Sequence, residues 1–82
     1  MKTTVALVDD HELLRSGLAA IINSFGEFEV VLEAGNGLEF IKKVKAITPP
    51  DIVLLDITMP EMDGYETAAW ILKHFEILVL AG

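Results

Sequence analysis

Apolar residues recur along this chain in two alternating rhythms. Short apolar runs of β-forming residues mark strands, and apolar residues every three or four positions mark helices. Thr4 to Val8 reads as a short buried strand. Leu14, Leu18, Ile21, Ile22 and Phe25 fall at helical spacing and predict an amphipathic helix from His11 to Phe25, with Gly26 as its stop. Glu29 to Ala34 alternates acidic and apolar residues, as a strand nearer a sheet edge does, and Asn36-Gly37 breaks it. Leu38, Ile41 and Val44 mark a second helix that Pro49 and Pro50 cannot extend. Residues 52 to 55 are a third strand, and a loop with Pro60 and Gly64 follows. Tyr65 to Phe75 is a third helix, with Ala68, Ile71, Leu72 and Phe75 turned inward, and Ile77 to Leu80 is a fourth strand.

The order β-α-β-α-β-α-β predicts a parallel sheet with helices on its faces. In such sheets ligands bind at the carboxyl ends of the strands, where the strand order reverses. Two strands end in acids there. "VALVDDHE" places Asp9 and Asp10 after the first strand, and "DIVLLDITMPEMDG" places Asp56 directly after the third. If these strands are neighbours, three carboxylates converge and repel one another unless a cation compensates. Mg²⁺, a hard ion that takes oxygen ligands octahedrally, is suited to that task. The plainer alternative is that an aspartate such as Asp10 caps the next helix.

Composition narrows the field. With 82 residues the chain holds at most one domain, and a domain of that size buries only roughly 60–65% of its unfolded surface. Hydrophobic residues make up 52% and mean hydropathy is +0.50, but no apolar run approaches the roughly 20 residues of a membrane helix. The N-terminus does not read as a secretory signal, so a cytoplasmic location is expected. Without cysteine, neither disulfides nor thiolate metal sites can form. A net charge of −7 argues against direct nucleic-acid binding, which needs clustered cations. Lys42, Lys43 and Lys45 read as a solvated helix face.

The two acidic stretches carry a resemblance. "VDDH" and "DIVLLDITMPEMDG" are similar to the acidic pair and the phosphoacceptor strand and loop of response regulator receiver domains of bacterial two-component systems. The likeness runs from residue 4 to about residue 80. "DDHELLRSGLAAII" most resembles the LuxR/NarL-type subfamily, whose receivers carry a DNA-binding domain. The resemblance implies a flavodoxin-like (CheY-like) doubly wound α/β sheet, incomplete here. It implies that Asp56 accepts a phosphoryl group from a sensor histidine kinase. It also implies Mg²⁺ held by Asp10 and Asp56, by Asp9 largely through water, and by the backbone carbonyl of Thr58. Met59-Pro60 and Asp63-Gly64 then shape the loop beyond Asp56. His11, which follows the acid pair and could be taken for a metal ligand or phospho-carrier, reads rather as a helix-start residue near the rim, His74 as a late-helix residue without a role, and Trp70 as part-exposed or against a partner.

The chain departs from the family pattern after the fourth strand. It reads as a single receiver domain over 1–82, lacking the fourth helix, the fifth strand with its lysine, the fifth helix and any DNA-binding domain. Ala81 stands where the family places a Ser or Thr. A bare fourth-strand edge and an uncovered apolar face predict self-association rather than a simple monomer. Two functional readings follow: a phosphoacceptor module, or an interaction-only module that pairs with a kinase or another receiver. An independent enzyme is not expected, because an aspartyl-phosphate hydrolase would need a second Asp where Thr58 stands.

Overall fold

The computed structural model describes residues 1–56 and 64–81. Its elements run β1 (Thr3–Val8), α1 (Glu12–Ser24), β2 (Phe28–Ala34), α2 (Gly37–Val44), β3 (Ile52–Leu55), α3 (Gly64–His74) and β4 (Leu78–Ala81). The four strands form one parallel sheet in the order β2-β1-β3-β4, so the chain reverses its direction of travel across the sheet between β1 and β3. This is the doubly wound arrangement expected from the sequence, and its switch point lies where Asp9 and Asp56 leave their strands.

Period-two alternation divides β1 between two cores. Val5 and Leu7 face α1 and pack with Ala19. Ala6 and Val8 face the other way, into a larger cluster with Leu32, Ala34, Phe40, Val44, Val53, Leu55, Ile71 and Ile77 under α2 and α3. Between Val5 and Ala6 the register with β2 slips by one, leaving Val31 as the bulged residue at the sheet edge.

Local chemistry sets the helix ends. α1 closes on Phe25, and Gly26 follows at φ 75°, the left-handed position that a side chain would strain. α2 opens on Asn36, whose side-chain oxygen accepts from the Glu39 backbone N–H at 2.8 Å. Lys43, one turn on, pairs with the Glu39 carboxylate at 2.8 Å and holds its pKa below the usual carboxylate value. Asn36→Ala is therefore expected to cost about 1 kcal/mol, read as a lower urea midpoint with an unchanged slope.

Two expectations about packing need correction. Leu72 is 66% exposed, and the inward face of α3 is instead Gly64, Thr67, Ala68, Ile71 and Phe75. Those positions recur at intervals of three and four, and Leu72 lies about 100° around the helix from Ile71. On α1, Leu14, Ile21 and Phe25 are more than half exposed, and Ala19 is the residue that buries itself. The reason is placement. α1 lies over β1 and β2, so its apolar flank overhangs the β3–β4 half of that face, where no helix sits among the described residues. Ile22, Phe25, Ile52, Leu54 and Leu80 line the apolar groove so formed.

Candidate functional site

The site follows from strand register. Val8 pairs with Leu55, so the next residues, Asp9 and Asp56, emerge side by side at the carboxyl edge of the sheet. The Asp56 backbone N–H donates to the Val8 carbonyl at 2.9 Å, which extends the ladder by one rung and fixes where the Asp56 side chain starts. The Asp9 N–H donates to the Ala34 carbonyl at 3.0 Å and does the same on the β2 side. Three carboxylates and one imidazole then meet. One ligand atom from each of Asp9, Asp10, His11 and Asp56 lies within 4.8 Å of all the others.

Asp10 does not cap α1; His11 occupies the N-cap position and makes no side-chain cap bond. The Asp9 carboxylate turns the loop instead. Its Oδ1 accepts from the His11 backbone N–H at 2.8 Å, the local bond that aspartate makes at turns. The same oxygen lies 3.0 Å from His11 Nδ1, which is also 3.1 Å from Asp10 Oδ1. The hydrogen bond to Asp9, then the charges of Asp10 and Asp9, raise the His11 pKa above its ordinary 6.5. His11 thus starts α1 at an exposed position, as expected, and its ring also joins the cluster.

Arg15, the one arginine in the sequence, is the functional neighbour that sequence reasoning missed. Its side chain is only 14% exposed. Its Nη1 donates to the Asp9 carbonyl at 2.5 Å and to that of Ala34 at 3.4 Å, and its Nε donates to Glu33 Oε1 at 3.3 Å. One guanidinium therefore ties the ends of β1 and β2 to α1 and sets positive charge behind the carboxylates. The available signal was a lone arginine four residues after His11, hence on the same helix face. Arg15 also lines an open pocket of about 300 Å³ beside Asp9 and Asp56, together with Leu18, Leu80 and Ala81. Ala81 ends β4 opposite Leu55, one residue short of Asp56 in the partner strand.

The remaining candidates are structural or fall elsewhere. Thr58, with Met59, Pro60 and Asp63, lies outside the described residues. Lys43 is more than a solvated charge, since its ammonium donates to the Glu33 carbonyl at 2.8 Å as well as pairing with Glu39. The His74 ring contacts the Trp70 carbonyl at 2.8 Å and stacks on the indole at 4.4 Å between centroids. Trp70 is itself half-buried against the larger core cluster.

Comparison with known proteins assigns this architecture. Residues 5–81 match the model of the response regulator receiver domain, and the chain belongs to that family. It is 52% identical over 66 residues to the chemotaxis protein CheY of Listeria monocytogenes, a match covering 80% of this chain and 54% of that protein. It is 42% identical over 64 residues to the nitrate/nitrite response regulator NarL of Escherichia coli, covering 78% of this chain and 29% of that protein. The chain thus spans about half, or less, of the length of these relatives. Among solved structures, the response regulator domain of Thermotoga maritima CheB superposes with a TM-score of 0.89 at 33% identity, covering 99% of this chain and 60% of that one. The cluster of Asp9, Asp10, His11 and Asp56 is placed like the acidic pocket that coordinates Mg²⁺ in CheY-like receivers. No described helix is long and apolar enough to cross a membrane.

Proposed function

We propose that this chain is the phosphoacceptor module of a two-component response regulator, and that Asp56 is the residue a histidine kinase phosphorylates. The observation that carries the reading is the meeting of Asp9, Asp10 and Asp56 at the switch point of a receiver fold. Asp9, Asp10 and Asp56 would hold Mg²⁺, with the Thr58 carbonyl completing the protein's share. That donor set is all oxygen, as the ion requires. When bound, Mg²⁺ neutralises charge on the phosphoryl group in flight.

The chain's own residues do the rest. β3 positions the Asp56 carboxylate, which attacks phosphorus as the nucleophile. A new O–P bond forms an acyl phosphate while the N–P bond of the donor phosphohistidine breaks, and its electron pair returns to the histidine nitrogen. Arg15 holds the Asp9 loop in place through the Asp9 carbonyl. A kinase partner is supported by a relative, CheY6 of R. sphaeroides, solved with the phosphorylated P1 domain of CheA3. That structure superposes with a TM-score of 0.83 at 28% identity, covering 95% of this chain and 69% of that one. Similarity to the transcriptional regulatory protein LiaR of Bacillus subtilis, 38% identical over 79 residues and covering 93% of this chain and 37% of that protein, supports an output in transcription.

The test is intact mass after incubation with Mg²⁺ and acetyl phosphate. One added phosphoryl group is expected. No addition would favour the second reading, an interaction-only module, for which the alanine at position 81 is the supporting feature.

The partner reading extends to a second copy of this chain. Among the described residues β4 has no strand on its outer side, and Leu78 and Leu80 are 58% and 48% exposed next to the apolar flank of α1. Paired edges and a shared apolar face would bury them. Light scattering at high micromolar concentration is expected to give a mass above the 9.0 kDa of one chain. A strictly monomeric mass would remove this partner.

A further inference from the structure

The imidazole in the acidic pocket has no part in the phosphoacceptor reading. We infer that His11 is itself a ligand of the cation, through Nδ1. The pocket would then hold a first-row divalent transition ion, from Mn²⁺ to Ni²⁺, more tightly than Mg²⁺. This inference rests on the reading of the pocket as a cation site.

Spacing carries the argument. His11 Nδ1 stands 3.0 Å from Asp9 Oδ1 and 3.1 Å from Asp10 Oδ1. Two adjacent ligands of an octahedral ion, each about 2.1 Å from the metal, lie about 3.0 Å apart. The ring nitrogen therefore sits at the separation of a neighbouring ligand from two carboxylate oxygens at once. A neutral ring has a single N–H and can direct it at only one of them. The outer limit of 4.8 Å across all four groups exceeds the roughly 4.2 Å between opposite ligands by an amount that small side-chain rotations close.

Anchoring and access are also matched to the task. The His11 backbone is fixed to Asp9 by its N–H bond to Oδ1, while its side chain is 70% exposed and open to an incoming ion. Donor chemistry then sets the ion. Imidazole suits the later first-row metals, whereas Mg²⁺ is served by carboxylates, carbonyls and water. A pocket of three carboxylates gains little selectivity among divalent ions; a nitrogen donor adds it.

The experiment titrates the untagged chain and its His11→Ala variant with Mg²⁺ and Ni²⁺ separately, and records the electron spin-echo spectrum of the Mn²⁺-loaded protein. His11→Ala is expected to lower Ni²⁺ affinity roughly tenfold or more, the scale on which ligand-shell changes act. Mg²⁺ affinity should stay within about twofold, because that ion gains little from nitrogen. The Mn²⁺ spectrum should carry nitrogen modulation that the variant loses. That signal is read on the unsubstituted chain as well, so it does not depend on how the variant folds. Binding of Mg²⁺ without nitrogen modulation, and with equal Ni²⁺ affinity in both chains, overturns the inference and leaves the cation site standing. Failure of the unsubstituted chain to bind any of the three ions overturns both.

Discussion

Asp56→Asn is expected to abolish phosphoryl incorporation from acetyl phosphate while leaving the fold in place. The substitution keeps the shape of the side chain and exchanges a carboxylate oxygen for an amide nitrogen. An amide is a poor nucleophile, and its phosphorylated form is not a stable product, so the loss should be complete at the level of intact mass. The backbone contribution survives, since the bond from the residue 56 N–H to the Val8 carbonyl does not involve the side chain. The neighbouring acids are poor substitutes. Asp9 Oδ1 already accepts from the His11 backbone and lies against its ring. Asp10 is one residue further from the end of its strand. Cation affinity should fall in the same variant, because one of three carboxylates is gone. Incorporation that persists in Asp56→Asn would place the acceptor elsewhere and remove the role assigned to the end of β3.

How much of this was legible in the sequence can be judged from the two acids that flank β3. Asp51 and Asp56 are alike on paper, one on each side of the apolar run. The structure separates them. Asp51 lies at the amino edge, where its carboxylate accepts from the Thr4 backbone N–H at 2.9 Å and its own N–H donates to Thr4 Oγ1 at 3.0 Å. That is a clasp between two strands. Sequence reasoning could favour Asp56 because parallel sheets carry their sites at carboxyl ends, but that β1 and β3 are neighbours was a condition the alternation of elements did not fix. It could not see Arg15, because a lone arginine on a helix acquires its meaning only when the helix lies against the ends of β1 and β2. His11 does start α1 at an exposed position, as expected, but its closeness to the carboxylates was hidden for a related reason, since the turn made by Asp9 is what brings the ring between two of them. On α1, the periodicity correctly marked an apolar stripe. The part of the sheet that the stripe overlooks was decided by the lateral placement of the helix, which periodicity does not encode.

The second large effect is expected far from any charge. Phe40→Ala should destabilise the chain by about 3–5 kcal/mol, the cost of a large core deletion together with the cavity it leaves. Phe40 is fully buried, and its cluster includes Val8 and Leu55. Chains of this length hold roughly 0.05–0.15 kcal/mol per residue, so the loss removes about a quarter of the total stability at the least. Leu72→Ala makes the matched control. It deletes a large apolar side chain from the adjacent helix, but one that is 66% exposed, and should change stability by no more than about 0.5 kcal/mol. Urea unfolding followed by far-ultraviolet circular dichroism separates the two. Equal midpoints would mean that α2 does not pack on the sheet as described. The same substitution tests how the site is built. Val8 and Leu55 are the last strand residues before Asp9 and Asp56, and Phe40 belongs to the core cluster that backs them. Phe40→Ala should therefore weaken cation binding in step with the fraction of chain unfolded, although it touches no ligand, because a carboxylate is positioned only as firmly as the strand that delivers it.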